Sequence, residues 1–384
     1  MRLLAVSGSR ADWGYLVKPL ETMRADPAMD VRLAVTGQHL DAASGGTLSM
    51  IRAAGFDDIE IVDPVLSGDS AVETTGAMAR ILSGMAGVIA RVKPDMMFLL
   101  GDRYETLAAA SAAMMARIPI AHLCGGDVSE GAVDDAIRHA VSKLSHLHFP
   151  SNGISAQRLI QMGEDPGRVH MVGSTSLDLL LSVPIMARAA FLAEVGLADA
   201  RAVVLVTMHP VTLAEDPAAE ARALVSALAG LDESHALLIS GTNADTGRLG
   251  ITRMLENLVA RRSNAVLVPS LGNALFVNAL AHCSVMVGNS SSGLYEAPSM
   301  GIPTVNVGTR QDGRLKAASV ADCPAEPAAI LAAMADALAG GRKMVSNPYG
   351  DGKASQRIAA LIKAHAADPA RLLHKRFRAT WEDA

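Results

Sequence analysis

Along most of the chain a short apolar run gives way to a small polar cluster, and a longer Ala-rich stretch of helical character follows. Leu3–Val6 ends in Gly8-Ser9-Arg10, Met96–Leu100 in Gly101-Asp102-Arg103 and Ile118–Leu123 in Gly125-Gly126-Asp127. Val169–Val172 ends in Gly173-Ser174, Val203–Thr207 in His209-Pro210 and Ala236–Ile239 in Gly241-Thr242-Asn243. Val285–Val287 ends in Gly288-Asn289-Ser290 and Thr304–Val307 in Gly308-Thr309-Arg310. Continuous apolar runs, in place of strict alternation, predict strands of a parallel sheet covered on both faces. Strands alternating with helices form βαβ units, so the expected class is α/β with doubly wound sheets. A boundary falls near Pro184, and Val203–Thr207 reads as the first strand of a second domain. Two similar domains with a cleft between them is the simplest architecture, with residues 1–182 in the first and 183–366 in the second. The charged tail from Asp368, which carries Arg371, His374, Lys375, Arg376, Arg378 and Trp381, reads as a terminal helix lying on the surface.

Length and composition narrow this picture. A chain of 384 residues is too long for one hydrophobic core. Hydrophobic residues are 50% and aromatic residues 3%, so the cores are aliphatic and draw on the 19 Met. The net charge of −5 excludes a strongly basic nucleic-acid binder but leaves room for a local cationic pocket around a phosphorylated ligand. Cys124, Cys283 and Cys323 are far apart, which fits a reducing compartment and excludes a disulfide framework or a thiolate zinc site. The N-terminal apolar run is too short for a signal-peptide core. The most apolar stretch, around Ala108–Cys124, is broken by Arg117 and Pro119, so it falls short of the roughly 20 residues a membrane helix needs. The expectation is a cytoplasmic protein with neither membrane nor nucleic-acid partner.

In open α/β sheets ligands bind outside the carboxyl ends of the strands, where nearly all these polar clusters fall. Gly288-Asn289-Ser290-Ser291-Ser292-Gly293 stands out. Its small residues leave backbone N–H groups open, a helix starting there presents its positive end to an anion, and Ser290 and Ser291 add hydroxyl donors. Glu296 is placed to accept two ribose hydroxyls, and Arg310 can hold phosphate at two points. The plainer reading is a serine cap on an ordinary helix, with Glu296 in a structural pair. The pattern is not a nucleophile elbow, a Walker A loop or a dinucleotide fingerprint. A second cluster is acidic: Asp102 after one strand, then Asp127, Glu130, Asp134 and Asp135 after the next. Carboxylates gathered at strand ends suit general acid and base work, while Asp127 and Asp134 are also good helix caps. Asp135 and His139 stand at i,i+4 beside Arg138. His209 ends a buried strand and suits proton transfer or phosphate contact. Arg10 opens the first helix, as a ligand group or an ion pair with Asp12. His146-x-His148 lacks a third ligand at useful spacing and reads as a structural pair, and His122 within its strand reads as a satisfied core histidine; no metal site is expected.

The ordered set Ser7-Gly8-Ser9-Arg10-Ala11-Asp12, Gly101-Asp102-Arg103-Tyr104-Glu105, Gly125-Gly126-Asp127, Asp134-Asp135-Ala136-Ile137-Arg138-His139, His209-Pro210, Gly288–Gly293 with Glu296, Gly308-Thr309-Arg310-Gln311 and Asn347-Pro348-Tyr349 resembles the hydrolysing UDP-N-acetylglucosamine 2-epimerases of sialic-acid-type pathways. The match runs from about Leu3 to Ser355 and is specific as a set. It implies two Rossmann-like domains of the glycosyltransferase-B type, with the nucleotide held mostly by the second and a final segment, here 367–384, returning to the first. It implies anti elimination of UDP to a 2-acetamidoglycal and then hydration to the free 2-epimer, N-acetylmannosamine for the parent substrate, without metal or redox cofactor. By the same resemblance Asp102 and Asp134 match acid/base positions, and His209 a histidine at the diphosphate or sugar. Arg10, Arg103, Asn243, Ser290, Ser291, Glu296 and Arg310 match nucleotide-binding positions. A homodimer or homotetramer is expected by analogy.

One departure stands out: some family members have Glu two residues after the position of His122, where this chain has Cys124. A buried thiol is a poor substitute for a carboxylate base, so the displaced role falls to Asp127 or is absent. The departure points to the bacterial branch, which includes relatives acting on 2,4-diacetamido-2,4,6-trideoxy sugars on the way to legionaminic acid. The alternatives are a glycosyltransferase on the same fold, a non-hydrolysing epimerase and a sensor that has lost catalysis.

Overall fold

The computed structural model describes residues 1–41, 47–65, 70–129, 133–198, 200–211, 214–242 and 248–379. The chain divides into two compact units, one formed by Met1–Leu179 with Tyr349–Ala384 and the other by Leu180–Pro348.

The first unit holds a six-stranded sheet made of β1 (Arg2–Ser7), β2 (Asp30–Val35), β3 (Ile59–Ile61), β4 (Met96–Leu100), β5 (Ile120–Leu123) and β6 (Leu147–Phe149), in the order β3-β2-β1-β4-β5-β6. Every pairing is parallel. The pleat explains why the strands are continuously apolar. Met96, Phe98 and Leu100 enter one core with Leu3, Ala5 and Leu16, while Met97 and Leu99 enter a second with Leu4, Ile81 and Met85. The second core is closed by helices Ala71–Val92 and Tyr104–Met115. Ser70 and Glu73 cap the former reciprocally, and the buried Ala108, Ala109, Ala110, Ala112 and Ala113 of the latter let the helix lie close to the sheet.

The second unit repeats the plan. Its strands are β7 (Ala202–Thr207), β8 (His235–Ser240), β9 (Ala265–Val268), β10 (Val285–Gly288), β11 (Thr304–Val307) and β12 (Val320–Cys323), in the order β12-β11-β10-β7-β8-β9. Counted from its own first strand, this is the topology of the first sheet, and again all pairings are parallel. Both units are therefore Rossmann-like. Each has its topological switch point where connections leave the first strand in opposite directions, between β1 and β4 and between β7 and β10.

Three expectations need correction. Val169–Val172 forms no strand of the sheet; Val169 makes one isolated bridge to His148, and the run ends at Gly173, where Ser174 N–H donates to the Tyr349 carbonyl at 2.7 Å. The return to the first unit begins at Tyr349 and not at residue 367, because helix Ala354–Ala364 buries Ala354, Ile358 and Ile362 in the first core and is capped by Asp178, which accepts from Ser355 N–H at 2.7 Å. The tail is a short 3-10 turn, Pro369–Leu373, followed by irregular chain over the remaining described residues, 374–379. It is held by polar contacts: Arg168 donates to the Leu372 carbonyl at 2.6 Å, and Lys375 reaches the buried Glu164 at 2.7 Å.

Candidate functional site

At the carboxyl end of β1 the chain turns through Gly8 and Ser9 into helix Arg10–Arg24. Ser9 caps it by accepting from Asp12 N–H at 3.2 Å, and Asp12 accepts from Gly8 N–H at 3.0 Å. Arg10 is the exposed first residue of the helix. Asp12 turns to Gly8 and to the charges of Arg103 and Glu105. Burial pushes its carboxyl up to about 6, against the pull of Arg103. Arg103 lies 3.4 Å from the carboxylate of Glu105, which is 2% exposed. His39 is enclosed between Ser7 Oγ at 2.8 Å and Thr47 Oγ1 at 2.6 Å.

The acidic cluster gathers around Arg138, on helix Val133–Leu144. Its guanidinium donates to Asp102 Oδ2, to the Asp127 carbonyl at 2.9 Å, to Ser129 Oγ at 2.9 Å and to Asp135 Oδ1 at 3.5 Å. Burial opposes its charge, but Asp102, with Asp127 and Asp135 adding to it, more than offsets that, so the guanidinium stays protonated. Asp134 lies at the surface of the same group. Partial withdrawal from water and the negative charge of Asp102 raise its carboxyl, while Arg103 and Arg138 pull it down. Asp102, Asp134 and Arg103 are thus brought together. Asp127 joins them through its backbone carbonyl; its carboxylate accepts from Ser155 Oγ, from Asn152 Nδ2 at 3.3 Å and from Ser151 Oγ at 3.5 Å. Cys124 sits beside the cluster at φ +62°. Burial pushes its thiol well above the ordinary value, with Asp127 and Asp102 adding to the effect, so it is no base at neutral pH. His122 is fully buried, with Nε2 donating to the Gly101 carbonyl at 2.8 Å. His148 pairs with Glu164 at 2.8 Å, and His146 Nδ1 accepts from Ile120 N–H at 3.2 Å.

In the second unit the organising residue is Asn289, which is fully buried. Gly288 precedes it at φ +136°, and a side chain there would run into the Thr207 carbonyl. The Asn289 amide accepts from His209 N–H at 2.8 Å and donates to the His209 carbonyl at 2.9 Å and to Glu220 at 3.2 Å. Its own carbonyl accepts from Arg310 at 3.2 Å and Gln311 at 2.8 Å. Glu220 in turn accepts from Thr309 N–H at 2.8 Å. One buried amide therefore fixes the ends of β7 and β10 and the Arg310 loop after β11. Burial, with Arg310 adding to it, lowers His209 to about 4, so its ring is neutral at pH 7.

The serine cluster differs from expectation. The helix there, Ser292–Tyr295, is a single turn followed by the 3-10 turn Ala297–Met300, because Pro298 has no N–H to continue it. Ser290 Oγ accepts from Ser292 N–H at 3.3 Å. Ser291 and Glu296 lie at either end of that turn, whose last carbonyl, of Tyr295, accepts from Asn347 at 2.8 Å. Asn243, Glu130 and Trp381 lie outside the described residues.

The family profile of UDP-N-acetylglucosamine 2-epimerases matches residues 21–363. The chain belongs to this family. Similar proteins include a UDP-N,N'-diacetylbacillosamine 2-epimerase (hydrolyzing) of Legionella pneumophila, 35% identical over 94% of this chain and 95% of that protein. A GDP/UDP-N,N'-diacetylbacillosamine 2-epimerase (hydrolyzing) of Campylobacter jejuni is 32% identical over 84% of each chain. The crystal structure of UDP-GlcNAc 2-epimerase from Neisseria meningitidis bound to UDP-GlcNAc superposes with a TM-score of 0.77 at 20% identity, over 95% of this chain and 100% of that one. The epimerase is thus an enzyme of the hydrolysing 2-epimerase type on a glycosyltransferase-B-type fold, as its motifs imply. Among the described residues no group of three or more His, Cys, Asp or Glu is arranged to hold a metal, and no helix is long and apolar enough to cross a membrane.

Three organising residues carried no role in the sequence reading: Arg138, Asn289 and Glu220. Arg138 was visible within Asp134–His139, and Asn289 within Gly288–Gly293, but their partners lie 36 and 80 residues away. Glu220 carried no local signal.

Proposed function

We propose that the epimerase eliminates UDP from a UDP-linked 2-acetamido sugar and hydrates the resulting glycal to the free 2-epimer. We propose further that its sugar is a 2,4-diacetamido-2,4,6-trideoxyhexose. The observation that carries the reaction is the juxtaposition of Asp102, bound to the buried Arg138 guanidinium, with Asp134, which feels the charges of both, in a family that inverts C2. No carbonyl acidifies the C2 proton, so a base and stabilisation of the departing diphosphate must act together. Inversion needs two proton carriers on opposite faces. Asp102, which is ion-paired with Arg138, is assigned as the base. Asp134, whose carboxyl is raised, is assigned as the acid. Asp127 is assigned to holding the start of helix Gly153–Gln161 and not to the base role vacant at Cys124.

Arg10, Arg103 and Arg310 are assigned to the nucleotide and its diphosphate, with Ser290 and Ser291 as hydroxyl donors and Glu296 for the ribose. Neutral His209 serves as a hydrogen-bond partner of the diphosphate or sugar. Asn243 keeps its nucleotide assignment by resemblance. The diacetamido substrate rests on the names of the Legionella and Campylobacter relatives. Three free thiols suit the reducing cytoplasm, where nucleotide sugars are made.

Proton NMR in D2O tests both statements. UDP-N,N'-diacetylbacillosamine is expected to yield UDP and a free sugar of inverted C2 carrying deuterium there, faster than UDP-N-acetylglucosamine does. Preference for UDP-N-acetylglucosamine would overturn the substrate assignment alone. Recovery of an epimerised UDP-sugar, or no release without an acceptor, would overturn the reaction.

A further inference from the structure

Asp102 is held at both ends. Its carboxylate receives Arg138, and the carbonyl just before it, of Gly101, receives His122 Nε2 at 2.8 Å. Ser142 Oγ sits between the two holds, 2.9 Å from the Arg138 carbonyl and 3.2 Å from His122 Nδ1, and gives its single proton to one acceptor at a time. Asp102 is thus fixed at its carboxylate by Arg138 and at the preceding carbonyl by His122, with Ser142 packed between the two holds. The Arg138 side chain is 5% exposed, whereas that of Asp102 is 28% exposed. Arg138 is therefore shut away beneath a carboxylate that faces outward. Four acceptors engage the two terminal nitrogens of the guanidinium and fix its plane, namely Asp102 and Ser129 on Nη2 and the Asp127 carbonyl and Asp135 on Nη1.

We infer that Arg138 is a positioning residue for the first chemical step, aiming the Asp102 carboxylate at the C2 proton through the ion pair that its buried guanidinium makes with it. The inference rests on the reaction proposed above. In that step Asp102 takes the C2 proton, the C2–H electron pair becomes the C1=C2 bond, and the C1–O pair leaves with the diphosphate. Water then gives its hydroxyl to C1 while Asp134 gives a proton to the other face of C2. The proton shed by water restores Asp134, and Asp102 loses its proton to solvent. Arg138 enters neither step chemically and sets the geometry of the first.

The test is steady-state kinetics of Arg138→Met and Arg138→Ala, with ordinary and C2-deuterated substrate, beside the wild-type enzyme. A carboxylate misplaced by about 1 Å costs about 100-fold in rate, so kcat is expected to fall about 100-fold with KM within about threefold. Deuteration at C2 is expected to slow the variants more than the wild type. Guanidinium ion at tens of millimolar is expected to restore part of the Arg138→Ala rate. A raised KM with kcat intact, or a fall in kcat with an unchanged isotope effect and no rescue, would overturn the inference. If both variants fail to fold, Ser129→Ala removes one tie to the nitrogen that holds Asp102. A several-fold loss of kcat with a larger isotope effect supports the inference, and wild-type behaviour overturns it. A wild-type enzyme that releases no UDP would count against the proposed reaction instead.

Discussion

Asp102 and Asp134 share one electrostatic neighbourhood but not one environment. Asp102 is tied to a buried cation, whereas Asp134 stands at the surface with its carboxyl raised by partial burial and by Asp102. If these carboxylates carry the proton transfers, Asp102→Asn and Asp134→Asn each lower kcat by about 10²- to 10⁴-fold, measured as UDP release. Loss of less than tenfold in either would remove it from the mechanism. Cys124 gives the opposite expectation. A thiol pushed up by burial stays protonated, so Cys124→Ser is expected to retain turnover within about threefold. A loss of 100-fold would return the position to the catalytic set. Asp102 was legible in the sequence because it follows the apolar Met96–Leu100 run, where ligands of such sheets bind. Arg138 was not, because a guanidinium on an amphipathic helix looks the same whether it faces water or a carboxylate 36 residues earlier.

At the scale of elements, legibility followed burial on both faces. Strands β4 and β11 match the apolar runs residue for residue, and β1, β5, β7, β8 and β10 match within two residues. The three-residue strands β3 and β6 were invisible: Ile59-Glu60-Ile61 and Leu147-His148-Phe149 are too short for a periodicity to show. The helix after the serines is only a single turn because Pro298 stops it, a break that the serine pattern itself does not signal. The most demanding local element is the end of β10. Gly288 at φ +136° has no room for a side chain against the Thr207 carbonyl, and Asn289 then supplies the amide that fixes His209. Gly288→Ala combines a disfavoured backbone with a clash against main chain, so it is expected to cost about 3 kcal/mol in urea unfolding and to weaken UDP binding measured by calorimetry. A stable variant with unchanged UDP affinity would separate the Asn289 network from nucleotide binding.

At the scale of the whole molecule, buried histidines govern how the protein meets acid, His209 in the second unit and several more in the first. Burial lowers His39 to about 4, His122 to about 3 and His146 to about 4, all within the first unit. Each folded ring refuses a proton that the unfolded chain accepts below its ordinary 6.5, so the unfolded state gains as pH falls. Asp12 works the other way. With its folded carboxyl near 6 and an ordinary value of 3.8, it takes up a proton in the native state over that interval and offsets one histidine. Glu164 is held down to about 2: burial alone would raise it, but hydrogen bonds from His148, Lys143 and Lys375 prevail. Its stabilisation is present above its ordinary 4.5 and is lost only as pH falls towards 2, so it contributes little to the slope near pH 5. His148, His170 and His365 of the same unit are lowered too, so the first unit is expected to lose stability steadily as pH falls from 6.5 towards 4.5. Trp13, 4% exposed and packed edge-on against Phe56 at 5.3 Å, reports the unfolding of this unit by fluorescence. Urea midpoints are expected to fall steeply from pH 6.5 to 4.5, and His39→Gln to flatten the fall by about one proton. A profile flat across that range would mean that the buried rings bind protons in the folded state, and that the polar contacts enclosing His39 and His122 hold imidazolium and not imidazole.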